Sequence, residues 1–318
     1  MQMHIVIISP ATAKANNGNW QTASRWARFL GERYRVTVLD AWDGIACDAL
    51  IALHARRSSS SIAAFHSAFP ARPAILVLTG TDLYRDIKTD ADAQRTLQLA
   101  SRLVVLQEAG LSELDAHLRS KACVIYQSAP QLDPFMHKDG GDAEITMIGH
   151  LREEKDPLTF MRAAALVKSP AVRLTHIGGA LDPALGDQAL ATQQSVRRYR
   201  WLGDQPHAAA TEILRQSHLM VLTSKMEGGA NVIVEALTGG VPVLASDISG
   251  NRGMLGTDYA GYFPQGDSET LARMIDQSVT DPAFYSRLKA QCDARAYLFS
   301  PQRERAALLQ LVDNLVPH

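Results

Sequence analysis

Two glutamates bracket the most chemically suggestive stretch of this sequence, SKMEGGANVIVEALTGGVPVLASDISG, residues 224–250. Glu227 precedes the turn Gly228-Gly229-Ala230, and Glu235 lies one to two turns into the apolar segment Asn231–Thr238. A break at Gly239-Gly240 leads into a strand-like Val241-Pro242-Val243-Leu244-Ala245. A glycine turn that opens a helix presents unpaired backbone N–H groups at the positive end of the helix dipole, which suits an anion. Carboxylates beside it are poor phosphate ligands but good acceptors for sugar hydroxyls. The combination points to a ligand with both phosphate and sugar parts, a nucleotide sugar.

Three further groups could act on such a ligand. The run Gly149-His150-Leu151-Arg152-Glu153-Glu154-Lys155 places two cations just after a strand-like segment. Cations there could meet the anionic part of such a ligand; alternatively, Glu153 and Glu154 pair with Arg152 and Lys155 on the surface. Near the N-terminus, Asn16, Asn17 and Asn19 offer amide donors around Gly18, which permits close backbone approach. Asn19 could equally cap the next helix. This loop is not the G-x-G-x-x-G of a dinucleotide-binding dehydrogenase. Two more loops, His54-Ala55-Arg56-Arg57-Ser58 and Thr79-Gly80-Thr81-Asp82-Leu83-Tyr84-Arg85, follow apolar runs. Arg56 and Arg57 are suited to charge-assisted hydrogen bonds with an anionic acceptor, and His54 and Asp82 are the nearest candidates for a general base.

The elements that must position these groups alternate between strand and helix patterns almost throughout, which predicts parallel sheets covered by helices on both faces. The expected strands of the first half are His4–Ser9, Arg35–Leu39, Ala49–Leu53, Ala74–Thr79, Arg102–Leu106 and Ala122–Tyr126, with helices over Thr22–Leu30, Ser60–Phe69 and Leu111–Leu118. Ser128–Asp142, with Pro130, Pro134, Gly140 and Gly141, reads as a linker. A second series follows: strands Glu144–Gly149, Arg173–Ile177, Leu219–Thr223 and Pro242–Ser246, and helices Pro157–Lys168, Ala208–Gln216 and Asn231–Thr238. The pattern predicts two doubly wound units with ligands at the carboxyl ends of their strands, beside a cleft. The expected division is a first domain over residues 1–140, a second over 141–300, and a C-terminal helix in 301–318 that packs back on the first domain.

Composition sets limits on partners. A net charge of −1 gives no global attraction to nucleic acid or to anionic membranes. The N-terminal MQMHIVIISP lacks a basic region and a cleavage site, so it reads as a first strand rather than a signal peptide. Cys47, Cys123 and Cys292 are scattered without metal or redox spacing, as expected in a reducing cytoplasm. The histidines are dispersed, with no H-E-x-x-H and no pairing with cysteine, so neither a metal nor a cofactor is expected.

Glu227-x7-Glu235, preceded by Leu222-Thr223-Ser224 and followed by Gly239-Gly240-Val241-Pro242-Val243, resembles the donor site of the family 4 GT-B glycosyltransferases. The resemblance implies a metal-independent enzyme in which Glu235 holds the ribose hydroxyls and Glu227 contacts the transferred hexose. It also implies that the first domain binds the acceptor and the second the donor. Gly228, Gly229, Ala230, Asn231 and Gly149 would complete the donor pocket, and Arg152 and Lys155 would neutralise the diphosphate. The chain departs from the family in three places, the first being Thr79 where the family's histidine-glycine-threonine-aspartate segment has its histidine. It has Gly228-Gly229-Ala230 for the usual glycine-phenylalanine-glycine, and His150 where an arginine commonly follows the glycine. The segments ISPATAKANNGNWQTASRWARFL, ALHARRS and LTGTDLYRD further resemble the selenosugar synthases of bacterial selenoneine biosynthesis, a branch of these enzymes. That likeness implies transfer of N-acetylglucosamine or glucose from a UDP-sugar to selenophosphate, with a carbon–selenium bond formed. Asn17, Gly18, Asn19, His54, Arg56, Arg57, Thr81 and Asp82 would then surround the acceptor. Two other readings stay open: a glycosyltransferase with an ordinary hydroxyl acceptor, and a non-catalytic nucleotide-sugar-binding protein.

Overall fold

The structure is a computed structural model that describes residues 2–10, 18–133, 135 and 142–315. Asn17, proposed at the acceptor, lies outside the described residues, as do Asn16 and residues 134 and 136–141 of the expected linker. The chain divides into two units. The first comprises residues 1–128, the short segment Glu227–Asn231 and residues 301–318; the second comprises 129–226 and 232–300.

In the first unit β1 (His4–Ile8), β2 (Arg35–Leu39), β3 (Ala49–Leu53), β4 (Ala74–Leu78), β5 (Arg102–Val105) and β6 (Ala122–Val124) form one parallel sheet in the order β2-β1-β3-β4-β5-β6. β1, β3 and β4 are buried along their whole length, which is why they read as unbroken apolar runs: helices cover both faces. Successive residues still point to opposite faces. Ile5 and Ile7 pack with Trp26 and Leu30 of the helix Gly18–Gly31 and with Leu308 and Val312 of the C-terminal helix Pro301–Asp313. Val6 and Ile8 face Ile62 and Phe65 of the helix Ser59–Ala68.

The second unit repeats the plan with β7 (Ala143–Ile148), β8 (Val172–Ile177), β9 (Tyr199–Trp201), β10 (Leu219–Leu222), β11 (Val243–Ser246) and β12 (Tyr262–Phe263). Their order is β12-β11-β10-β7-β8-β9, again all parallel. Each sheet has a point where the winding direction reverses, at β1 beside β3 and at β7 beside β10. The carboxyl ends that flank such a reversal are where doubly wound sheets take ligands. His54 follows β3, and Gly149 and Thr223 follow β7 and β10, so each unit brings candidate site residues to its own reversal.

The elements differ from expectation in a few places. The expected helix Leu111–Leu118 is a tight turn over Glu108–Glu113 followed by a single helical turn, Ala116–Arg119. β9 and β12 have three and two residues, too short for any period to register. The helix Pro183–Ser195 buries Leu185, Gly186 and Ala189, a face too poor in large side chains to stand out in the sequence.

Candidate functional site

In the second unit the carboxyl end of β7 is built around a buried histidine. His176 of β8 is fully buried; its Nε2–H donates to the Gly149 carbonyl at 3.2 Å, and its Nδ1 accepts from the Tyr199 hydroxyl at 3.1 Å. The two partners fix the tautomer. Burial pushes the imidazole pKa down to about 4, so it stands neutral and fixes Gly149. Gly178, which follows β8, has a φ of +148°, and a Cβ there would lie 2.1 Å from the Gly149 oxygen, so only glycine fits. Its N–H donates to the Gly203 carbonyl at 2.8 Å, and its own carbonyl accepts from Trp201 Nε1 at 2.8 Å. His150 is turned the same way, with Nδ1 accepting from the Gly179 N–H at 3.2 Å. The ends of β7, β8 and β9 are thus tied into one floor.

This floor has a pH signature. The unfolded chain binds a proton at His176 near pH 6.5 and the native state only near 4, so this contribution to stability is whole above about 6.5 and is lost as pH falls. The loss at pH 5 is about 2 kcal/mol. Urea denaturation of wild type and His176→Asn at pH 7.5 and pH 5 should show the gap between them narrowing by about that amount; a gap that stays constant would mean that His176 is not held neutral.

Lys155 lies against this floor. A tight turn, Glu153–Lys155, is followed by Asp156 in the left-handed region, φ 44°, and then by the helix Pro157–Leu166. The Lys155 stem runs along Gly149, where a Cβ would sit 3.6 Å from Lys155 Cδ. The turn is stitched to the end of β10: Thr223 Oγ1 donates to the Lys155 carbonyl, and the Lys225 N–H to the Glu154 carbonyl, both at 2.8 Å. Glu153 pairs with Lys225 at 3.1 Å in an exposed contact. Arg152 Nε is buried and has no hydrogen-bond partner among the described residues. A buried guanidinium N–H left over at a strand end is a donor in want of an acceptor.

Glu235 lies on the helix Asn231–Thr238, which buries Val232, Ile233, Val234, Ala236 and Leu237. Its Oε1 accepts from His207 Nε2 at 2.8 Å, and this bond raises the histidine's pKa. The helix ends in a turn closed by Gly239 N–H to Glu235 O and Val241 N–H to Ala236 O, with Gly240 at a φ of +71°.

The segment Glu227–Asn231 packs with the first unit. A Cβ on Gly228 would lie 2.4 Å from the Thr79 carbonyl carbon, and one on Gly229 would lie 2.5 Å from Leu106 Cβ. Close packing against the ends of β4 and β5 therefore requires both glycines, a reason their place before a helix does not disclose. Glu227 and Ala230 are buried, and Asn231 Nδ2 approaches Gly18, whose Cβ would be 3.4 Å from it.

At the ends of β3 and β4 the structure brings His54, Arg56, Thr81 and Asp82 together. Asp82 is fully buried; Oδ1 accepts from the N–H groups of Thr79 and Gly80 at 2.9 Å each, and Oδ2 from that of Ala55 at 2.8 Å. Its carboxylate shapes both loops. His54 is buried at a φ of +73°, a strained conformation for a residue with a side chain. Its Nδ1 accepts weakly from the Arg57 N–H at 3.4 Å, and its Nε2 donates to Thr81 Oγ1 at 3.1 Å. Burial lowers its pKa. Arg56 Nε and Arg85 Nε both donate to the buried Asp86, at 2.9 and 3.2 Å. The Arg57 side chain is exposed, and Asn19 lies in the first turn of the helix that Gly18 opens.

Sequence reasoning missed His176, His207 and Asp86. Asp86 follows the quoted Arg85 directly, but nothing in its spacing pointed to Arg56, thirty residues away. Among the described residues no group of three or more side chains could hold a metal ion, and no helix is long and apolar enough to cross a membrane.

Residues 130–297 match the family described as glycosyl transferases group 1. No curated protein matches the sequence. Among solved structures the chain is similar to Anabaena HepE in complex with UDP-glucose, with a TM-score of 0.80 and 16% identity over 98% of this chain and 100% of that one. It is similar to sucrose-phosphate synthase from Thermosynechococcus elongatus, with a TM-score of 0.78 and 15% identity over 99% of both chains. The lipopolysaccharide outer core galactosyltransferase WaaB gives a TM-score of 0.73 and 12% identity over 98% of this chain and 99% of that one. At these identities the likeness is one of fold.

Proposed function

Because the chain belongs to the group 1 glycosyl transferases and has the GT-B fold, we propose that it transfers a hexose from a UDP-sugar to selenophosphate. The observation that carries the donor half is the Lys155 stem laid along Gly149 at the reversal of the second sheet, with the buried Arg152 Nε, unpartnered among the described residues, three residues before it. HepE, of the same fold, is known in complex with UDP-glucose, which supports a UDP-sugar as donor. Glu235 accepts hydrogen bonds from the ribose, and Glu227 contacts the transferred hexose, N-acetylglucosamine or glucose.

The selenium of selenophosphate attacks the anomeric carbon as the carbon–oxygen bond to UDP breaks. Lys155 and Arg152 stabilise the charge that collects on the β-phosphate. Water then cleaves the selenium–phosphorus bond, releasing phosphate and leaving selenium on the sugar. An anionic selenium nucleophile has no proton to give up, so no general base is needed. That accords with Asp82, whose carboxylate serves three main-chain N–H groups, and with His54, whose Nε2 donates to Thr81. The acceptor half of the proposal rests on the N-terminal sequence segments and on Arg56 at the end of β3. It also draws on Arg57, Thr81, Gly18, Asn19 and Asn17.

Product identity tests the proposal. Incubation with UDP-N-acetylglucosamine or UDP-glucose and selenophosphate should give, by mass spectrometry and selenium-77 NMR, a hexose with selenium bonded to its anomeric carbon. Transfer of the hexose to a hydroxyl compound, with selenophosphate left intact, would contradict it.

A further inference from the structure

We infer that His207 is a positioning residue that holds the Glu235 carboxylate in the orientation that accepts both hydroxyls of a ribose 2′,3′-diol, so that the donor site discriminates ribonucleotides from their 2′-deoxy counterparts. The inference rests on the proposed contact of Glu235 with the ribose.

A glutamate's terminal torsion is broad, so a carboxylate on a helix surface has no fixed plane of its own. Here the plane is set from one side. His207 Nε2 donates to Oε1 at 2.8 Å, and one lateral donor leaves further lone pairs on both oxygens for two hydroxyl groups. The pair is not fully open: the Glu235 side chain is 18% exposed and that of His207 51%. The rise in the histidine's pKa through this hydrogen bond accords with the same geometry.

The donor itself stands on an anchored element. His207 is the first residue of the helix His207–Arg215 and follows the stretch Leu202–Pro206. Within that stretch Gln205 Nε2 donates to the Leu202 carbonyl at 2.8 Å, and the Gly203 carbonyl accepts from the Gly178 N–H at 2.8 Å. Gly178 is the glycine packed on Gly149, so the floor beneath Lys155 and the side support of Glu235 are one connected piece of backbone. A half-exposed ion pair contributes little to folding. Its effect is on where the carboxylate points.

The dissociation constants of UDP and 2′-deoxy-UDP, measured by calorimetry on the full-length protein, read this out. Wild type should prefer UDP by about tenfold or more, the range expected of a hydrogen bond to a charged group. Glu235→Ala should bring the ratio close to one. His207→Ala should cut the ratio several-fold while leaving the affinity for 2′-deoxy-UDP and the melting temperature near wild type. His207→Gln, whose amide reaches as far as Nε2, should restore most of the ratio. A wild-type ratio in His207→Ala, or equal weakening of both nucleotides, would overturn the inference while the Glu235→Ala result still supports the ribose contact. An unchanged ratio in Glu235→Ala would remove the ribose contact and the inference together.

Discussion

Replacing Glu304 with alanine is expected to destabilise the protein by about 3–5 kcal/mol, a large share of the stability of a typical fold. Glu304 is buried on the C-terminal helix Pro301–Asp313, and its two oxygens satisfy three donors from the first unit. Oε1 accepts from Trp26 Nε1 at 2.7 Å, and Oε2 accepts from Arg25 Nε at 2.7 Å and from the Ser128 hydroxyl. The Arg25 side chain is 13% exposed, and its Nη2 is already buried without a hydrogen-bond partner among the described residues. Removing the carboxylate strands a guanidinium, an indole N–H and a hydroxyl away from water, which is far more costly than never having buried them. Glu304→Gln keeps the shape and one acceptor oxygen, so it should fall between alanine and wild type. Urea denaturation at constant m-value reads the effect; a loss below about 1 kcal/mol for the alanine variant would show that the helix is held by Leu308 and Val312 alone.

The largest expected effect on turnover is that of Lys155. Lys155→Met keeps the stem that packs on Gly149 and removes only the charge, which separates the electrostatic role from the structural one. If the ammonium stabilises the departing diphosphate, kcat should fall by about 10²–10³, the effect of deleting one donor aimed at transition-state charge. The Michaelis constant for the UDP-sugar should rise much less, because the charge develops as the bond breaks. Melting temperatures of wild type and variant should agree closely, since the turn is held by main-chain bonds from Thr223 and Lys225. A kcat within about threefold of wild type would take Lys155 out of the chemistry.

The strands were legible because a sheet covered on both faces must be apolar at every position. β1, β3 and β4 therefore stand out as blocks and fix where the loops that carry His54, Arg56 and Thr81 begin. The glycine turn was legible as a turn but not for the reason the structure gives. Gly228 and Gly229 are demanded by the backbone of Thr79 and the side chain of Leu106, and both contacts are remote in sequence. The supporting residues were hidden for the same reason. Glu235 and His207 are 28 residues apart and Glu304 and Trp26 are 278 apart, and no local pattern announces a partner at such distances. His176 shows a further limit. In the sequence it is one dispersed histidine on a strand, and only burial against Tyr199 and the Gly149 carbonyl makes it a fixed neutral donor.

The central claim is that the hexose leaves UDP for selenophosphate, and the release of UDP measures this most directly. With UDP-N-acetylglucosamine or UDP-glucose supplied alone, release should be slow. Addition of selenophosphate should accelerate it in a saturable way, with one UDP formed for each selenophosphate consumed. A rate of UDP release that does not respond to selenophosphate, whether already fast or absent throughout, would contradict the account.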